Sequence, residues 1–206
     1  MDYNKFMLDL ASESPAPGGG SASAMAGIVS ASLVSMVANL TLGKKGYESV
    51  EGTMKDIVNE SNTIIQRLEE LMKEDTDAFL SMMNAMKLPK ETQEEKDFRK
   101  KEMERTMKLA IGTPWKIAVS CHRILRLGSI LARIGNKNAV TDAGASMNLA
   151  YAALESSLLN VRINLSYMKN EEYTREERMK LRFFMEDAGS IYRQGKESVQ
   201  KVMGAE

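Results

Sequence analysis

From Ser14 to Gly43 the chain carries no charged side chain, and this stretch most constrains what it can fold into. It opens with Pro15-Ala-Pro-Gly-Gly-Gly-Ser21, a turn stiffened by two prolines and released again by Gly18, Gly19 and Gly20. An Ala-, Ser- and Val-rich helix is predicted from about Ser21 to Leu42, stopped by Gly43 with Lys44 and Lys45 beside the negative end of its dipole. A helix without a charged face must be buried, in a protein core or in lipid. Ser23, Ser30, Ser32, Ser35 and Asn39 dilute the segment, and the rest of the chain is charged and amphipathic, so the membrane reading is rejected. Ala24, Gly27, Ala31 and Ala38 are small enough for neighbouring helices to approach closely. The expected fold is all-α, a bundle of long antiparallel helices around this central one, in a single domain over residues 1–206.

The periodicity of the remainder agrees. Residues 2–12 form a short amphipathic helix. A long helix at about 48–87 has a stripe from Val50 through Met54, Ile57, Ile64, Leu68, Met72 and Phe79 to Met86, interrupted by Ser61 and, more tellingly, Asp75. Thr92-x-x-Glu95 reads as a capping box opening a charged helix over 93–111, which touches the core through Phe98, Met103 and Met107. Gly112-Thr113-Pro114 reads as a break before a further helix over 115–134. Thr141 caps a helix to Met168 with a packing stripe along Met147, Ala150, Leu154, Leu158, Val161 and Leu165, and a second, small and polar line through Asp142, Ser146, Ser157, Asn160 and Asn164. Thr174-x-x-Glu177 reads as a second capping box before a last helix ending near Met203.

Lysine plus arginine equals aspartate plus glutamate at 28 each, which argues against a nucleic-acid partner. One cysteine, Cys121, excludes an internal disulfide and suits the cytoplasm, as does a polar opening without a signal peptide. With one histidine as well, His122, the chain cannot assemble the usual zinc cage. Adjacent helical residues point about 100° apart, so Cys121 and His122 read as core or surface residues, not a catalytic pair.

The glycine turn is neither a Walker loop nor a dinucleotide fingerprint, since no Lys-Ser/Thr follows it and no strand precedes it. It offers backbone N–H groups at a helix N-terminus, or simply a tight turn. Asp75 and Asp142 sit in helices that look buried. A desolvated carboxyl either finds a partner or takes a proton through a raised pKa, and both outcomes suit proton transfer near neutral pH. Asp75 could equally pair with a lysine, and Asp142 could serve only the dipole of its helix. Asn160 and Asn164 bond either neighbouring helices or a ligand.

Pro15-Ala-Pro-Gly-Gly-Gly-Ser21, Met36-Val-Ala-Asn-Leu-Thr-Leu-Gly-Lys-Lys45, Asp75-Thr-Asp-Ala-Phe79, Lys87-Leu-Pro-Lys90, Thr141-Asp142 and Asn160-Val-Arg-Ile-Asn-Leu165 together resemble the formimidoyltetrahydrofolate cyclodeaminase / methenyltetrahydrofolate cyclohydrolase family. Thr141 stands where members often carry serine, which keeps the hydroxyl. The resemblance implies a helical bundle, dimeric or larger, that takes a tetrahydrofolate derivative as substrate and needs no metal or other cofactor. The cyclodeaminase closes the one-carbon bridge with loss of ammonia; the cyclohydrolase opens it with water. It implies Asp142 as the main acid/base or cation-stabilising carboxylate and Asp75 as the second. Gly18, Gly19, Gly20 and Ser21 would bring donors to the ligand, Asn160 and Asn164 would orient it, and Lys44 and Lys87 would meet its glutamate tail. A non-catalytic scaffold, using the glycine turn and the polar line only for dimerisation, is the contrasting reading.

Overall fold

The structure, a computed structural model, describes residues 2–204. Its helices are α1 (Tyr3–Leu10), α2 (Gly19–Asn39), α3 (Glu51–Met86), α4 (Gln93–Ile134), α5 (Val140–Tyr167) and α6 (Glu171–Met203), with short 3-10 turns at Glu48–Val50 and Lys137–Ala139. Among the described residues there is no strand, and the all-helical expectation holds. α2 packs between α3 and α5 and over α4, while α6 closes against α4 and α5. α2 and α5 run antiparallel: Gly19 lies by Asn160, Ser30 Oγ donates to the Ser146 carbonyl at 2.6 Å, and Asn136 Nδ2 donates to the Leu40 carbonyl at 2.9 Å.

The small residues of α2 act as expected. Ala24, Ala31 and Ala38 are fully buried, and a Cβ at Gly27 would come within 2.9 Å of Leu68 Cδ1. By length and composition Gly19–Asn39 could cross a membrane, but 61% of its most apolar window is buried in the bundle. The rest is not. Val29, Met36 and Leu40 are 47%, 39% and 50% exposed, so within one chain α2 is central on one side only.

The largest departure from expectation is α4. The predicted break at Gly112-Thr113-Pro114 is absent, and one helix of 42 residues runs through Pro114. Proline lacks the N–H that would bond the carbonyl four residues back, a cost of about 3 kcal/mol or more in a helix interior. Here α5 compensates. The orphaned Ala110 carbonyl accepts from Asn164 Nδ2 at 2.6 Å, and the Pro114 carbonyl accepts from Ser157 Oγ at 2.7 Å.

Two caps also differ. α5 is entered through the 3-10 turn, in which Asn136 Oδ1 accepts from the Asn138 N–H, and Thr141 makes no cap. α6 begins three residues earlier than its expected cap: Asn170 accepts from the Tyr173 N–H, and Thr174 and Glu177 are buried within the helix. The Thr92–Glu95 capping box is present. Phe98, expected inward, is 57% exposed. α2 begins level with Asp75 and α5 ends near Ala110, so the hairpin of α3 and α4 projects past both without a third helix to cover it. Cys121 is buried, and its thiol is pushed up to about 12 by that burial. His122 pairs with Asp187 at 2.7 Å and lies against the Phe184 ring.

Candidate active site

Where α2 begins, α3 and α5 flank it, and the three enclose a pocket of about 420 Å³. One wall is the glycine turn, Pro15 to Gly20; opposite it are Asp75, Phe79, Met82 and Met86 from α3 and Asn160, Ile163, Asn164 and Tyr167 from α5. Three larger surface grooves, of about 450, 480 and 570 Å³, border α6 and include neither the glycine turn nor Asp75.

The turn is shaped around Asp75. Gly18, the N-cap of α2, has no side chain to cap the helix, and Asp75 of α3 accepts from the Ser21 N–H in its first turn instead. Ser21 Oγ donates to Asp75 Oδ2 at 3.0 Å. A Cβ on Gly20 would collide with both carboxylate oxygens and lie 2.6 Å from Asp75 Cγ, which is why glycine is required there. The side chain thus rests on the bare backbone of a helix N-terminus, where a negative charge is favoured. Burial acts the other way and wins. Desolvation raises the Asp75 pKa above the ordinary carboxylate value, against the lowering by hydrogen bonds from the Ser21 hydroxyl and N–H. The result is a carboxyl that holds its proton more tightly than usual, in a cleft lined by apolar and polar side chains.

Asn160 and Asn164 spend their amide nitrogens on backbone, Asn160 on the Ser156 carbonyl at 3.1 Å and Asn164 on Ala110. Their carbonyl oxygens have no protein partner among the described residues and remain as acceptors. Gly19 sits against Asn160, a Cβ there being 3.6 Å from its Nδ2.

The pocket therefore unites Gly18, Gly19, Gly20, Asp75, Asn160 and Asn164, with Ser21 behind them. Lys87, the C-cap of α3, directly follows Met86 of the lining and does not itself line the pocket. Asp142 and Lys44 are elsewhere in the same chain. Asp142 is half-buried in the first turn of α5, about 27 Å from Asn160 along the helix at ~1.5 Å per residue. Lys44 Nζ donates to Asn136 Oδ1 at 2.7 Å, also at that far end. The hydrophobic lining, Phe79, Ile163, Met82, Met86 and Tyr167, was not singled out from sequence for the site. Phe79, Met82 and Met86 read as members of a packing stripe, Phe79 and Ile163 also fall within stretches that carry the family resemblance, and Tyr167 has no mark beyond lying three residues from Asn164.

A helical bundle with a partly desolvated carboxyl on a glycine-lined helix N-terminus, opening on a pocket of this size, has the form of a small-molecule site. Residues 2–182 match the family model described as formiminotransferase-cyclodeaminase, and the chain belongs to that family of folate one-carbon enzymes. It is 37% identical over 186 residues to a methenyltetrahydrofolate cyclohydrolase of Methylorubrum extorquens, covering 90% of this chain and 89% of that one. It is 31% identical over 183 residues to a formimidoyltransferase-cyclodeaminase of Gallus gallus, of which it spans only 34%. The crystal structure of a formiminotetrahydrofolate cyclodeaminase from Thermotoga maritima superposes with a TM-score of 0.83 at 28% identity, over 98% of this chain and 95% of that one.

Proposed function

We propose that this chain is a formimidoyltetrahydrofolate cyclodeaminase and that Asp75 is its acid/base. The formimidoyl group reacts with its imino nitrogen protonated. N10 of 5-formimidoyltetrahydrofolate attacks the formimidoyl carbon, the C=N electron pair moves onto that nitrogen to leave it as an amino group, and the N10 proton passes to the Asp75 carboxylate. The tetrahedral carbon then carries N5, N10 and an amino group. Asp75 returns the proton to that amino group, which leaves as ammonia, and the N5–carbon–N10 bridge becomes the methenyl cation. One group serves both steps only if both of its protonation states are within reach at working pH, and the raised pKa of Asp75 supports this. That carboxyl, held on the Gly20 backbone inside the pocket, is the observation that carries the reading. Asn160 and Asn164 accept from pterin N–H groups, Phe79 and Tyr167 cover the ring faces, and the glutamate tail leaves past Lys87. No cofactor enters this chemistry. The reducing cytoplasm suits the free thiol of Cys121, and a homodimer or larger homo-oligomer is part of the proposal.

A second reading is methenyltetrahydrofolate cyclohydrolase, in which Asp75 takes a proton from the water that adds to the methenyl carbon. The match to the Methylorubrum extorquens protein along 89% of its length favours it. Absorbance of the methenyl chromophore separates the two. Its growth from 5-formimidoyltetrahydrofolate, with ammonia released, supports the cyclodeaminase. Accelerated loss from 5,10-methenyltetrahydrofolate alone supports the cyclohydrolase. A folded protein without either activity refutes both, and an unchanged kcat in Asp75→Asn removes Asp75 from the mechanism.

A further inference from the structure

The family resemblance gives Ser21 to the ligand as a donor, but the structure turns it away from the pocket. Its side chain is 1% exposed and takes no part in the lining around Asp75. It borders instead a smaller cavity of about 310 Å³ behind the glycine turn, closed by Phe6 of α1 and Met72 of α3. Thr76 lines both spaces, so they lie back to back. Asp75 thus stands in the wall between them, with the pocket in front and Ser21 behind.

At that exposure solvent does not compete for the hydroxyl, which has two acceptors: Asp75 Oδ2 at 3.0 Å and the Met72 carbonyl at 3.3 Å. Met72 and Asp75 are one turn apart on α3, so Ser21 Oγ is clamped between a fixed backbone oxygen and the carboxyl. An ionised acceptor forms the stronger bond, so the hydroxyl hydrogen goes to Oδ2 when Asp75 is charged. Among the described residues no side chain donates to Oδ1. The two oxygens are therefore unequal. A proton on Oδ1 leaves the arrangement intact, because the other oxygen of a neutral carboxyl still accepts. A proton on Oδ2 would oblige Ser21 to give up its bond and turn to Met72.

We infer that Ser21 is a positioning residue for the proton transfer: its hydroxyl holds Asp75 Oδ2 from behind the pocket and reserves Oδ1 as the oxygen that takes the N10 proton and returns it to the amino group. The inference rests on the reading of Asp75 as the acid/base. The surroundings leave this task to Ser21. Among the lining residues of the pocket Tyr167 is the only other titratable group, and α2 and α4 bring no charged side chain to it. Asp2, Lys5 and Asp9 of α1 and Lys73 of α3 border the rear cavity, with Lys5 paired to Asp9 at 2.6 Å. Burial and Ser21 alone displace Asp75 from its ordinary value, burial upward and Ser21 downward.

Ser21→Ala tests this, since it removes one oxygen, adds no bulk and suits a helix, so circular dichroism should be unchanged. Its kcat should fall by about 10- to 100-fold, the scale of a misplaced reacting group, with KM within about twofold of the wild type. The lost bond favours the ionised form, so the rising limb of kcat against pH should move to higher pH. The same displacement should appear without turnover. The carbon-13 shift of the Asp75 carboxyl, assigned by its absence in Asp75→Asn, should titrate at higher pH in Ser21→Ala than in the wild type. A raised KM at unchanged kcat would make Ser21 a ligand contact and overturn the inference. An Asp75 titration that Ser21→Ala leaves in place overturns it as well. Full activity of Asp75→Asn would instead refute the acid/base reading, and the role of Ser21 in proton transfer with it, while the carbon titration still reads whether Ser21 governs the carboxyl.

Discussion

Asn164 is the place where the fold and the candidate site compete for one side chain. Its Nδ2 donates at 2.6 Å to the Ala110 carbonyl, which Pro114 leaves without its usual helical donor, and Ala110 is buried. Truncation by Asn164→Ala strands that carbonyl. A buried acceptor left unpaired costs about 1–3 kcal/mol. For a chain of this size each kcal/mol lowers Tm by roughly 2–4 °C, so a fall of about 2–12 °C is expected. The cause is isolated by a second substitution. Pro114→Ala restores an N–H to the Ala110 carbonyl, and in that background Asn164→Ala should cost little. A double-mutant cycle should therefore return a coupling of about 1–3 kcal/mol between residues whose side chains sit on different helices. The assay is equilibrium urea unfolding of the four proteins at one fixed concentration, since association would shift the apparent stability. An unchanged m-value makes the comparison valid. If Asn164→Ala costs the same with proline or alanine at position 114, the account of how α4 survives its proline is wrong.

Two further outcomes follow from Asp75. Gly20→Ala places a methyl group in the carboxylate and should keep the helical circular dichroism while lowering kcat by about 10²-fold or more, the scale of a lost acid/base group; wild-type kcat would show that the contact is not needed. The stability of the chain should also carry the sign of the raised pKa. A carboxyl that holds its proton more tightly folded than unfolded is most favourable below the ordinary carboxylate pKa, and that contribution is lost as pH rises through the native value. Asp75→Asn should therefore gain Tm over the wild type as pH rises through this window and hold a constant advantage above it. A difference independent of pH would mean that burial does not perturb the group.

Most helix bounds were legible because a periodicity of 3.6 is a local property, but seven helices were expected where six are described, since α4 joins two of them through Pro114. The uncharged run from Ser14 to Gly43 required a helix packed on close neighbours, and Pro-Gly-Gly-Gly-Ser marked where backbone would be approached. Asp75 stood out because an acid interrupts an apolar stripe. What was not legible required knowing what lies across a helix. Proline and glycine at positions 112–114 read as a break because the rule for proline counts only donors of its own helix; two side chains of α5, Asn164 and Ser157, changed the result. Asp75 and Asp142 looked alike in sequence, each an acid in an apolar helix. Tertiary structure separated them by the antiparallel course of α2 and α5, which puts Asn160 beside the glycine turn and Asp142 at the other end of the bundle. Composition and periodicity determined that this chain must bury α2 and keep a polar site near its start. Only the packing of three helices decided which acid is desolvated there, because desolvation depends on every neighbour, and neighbours in space are not neighbours in the chain.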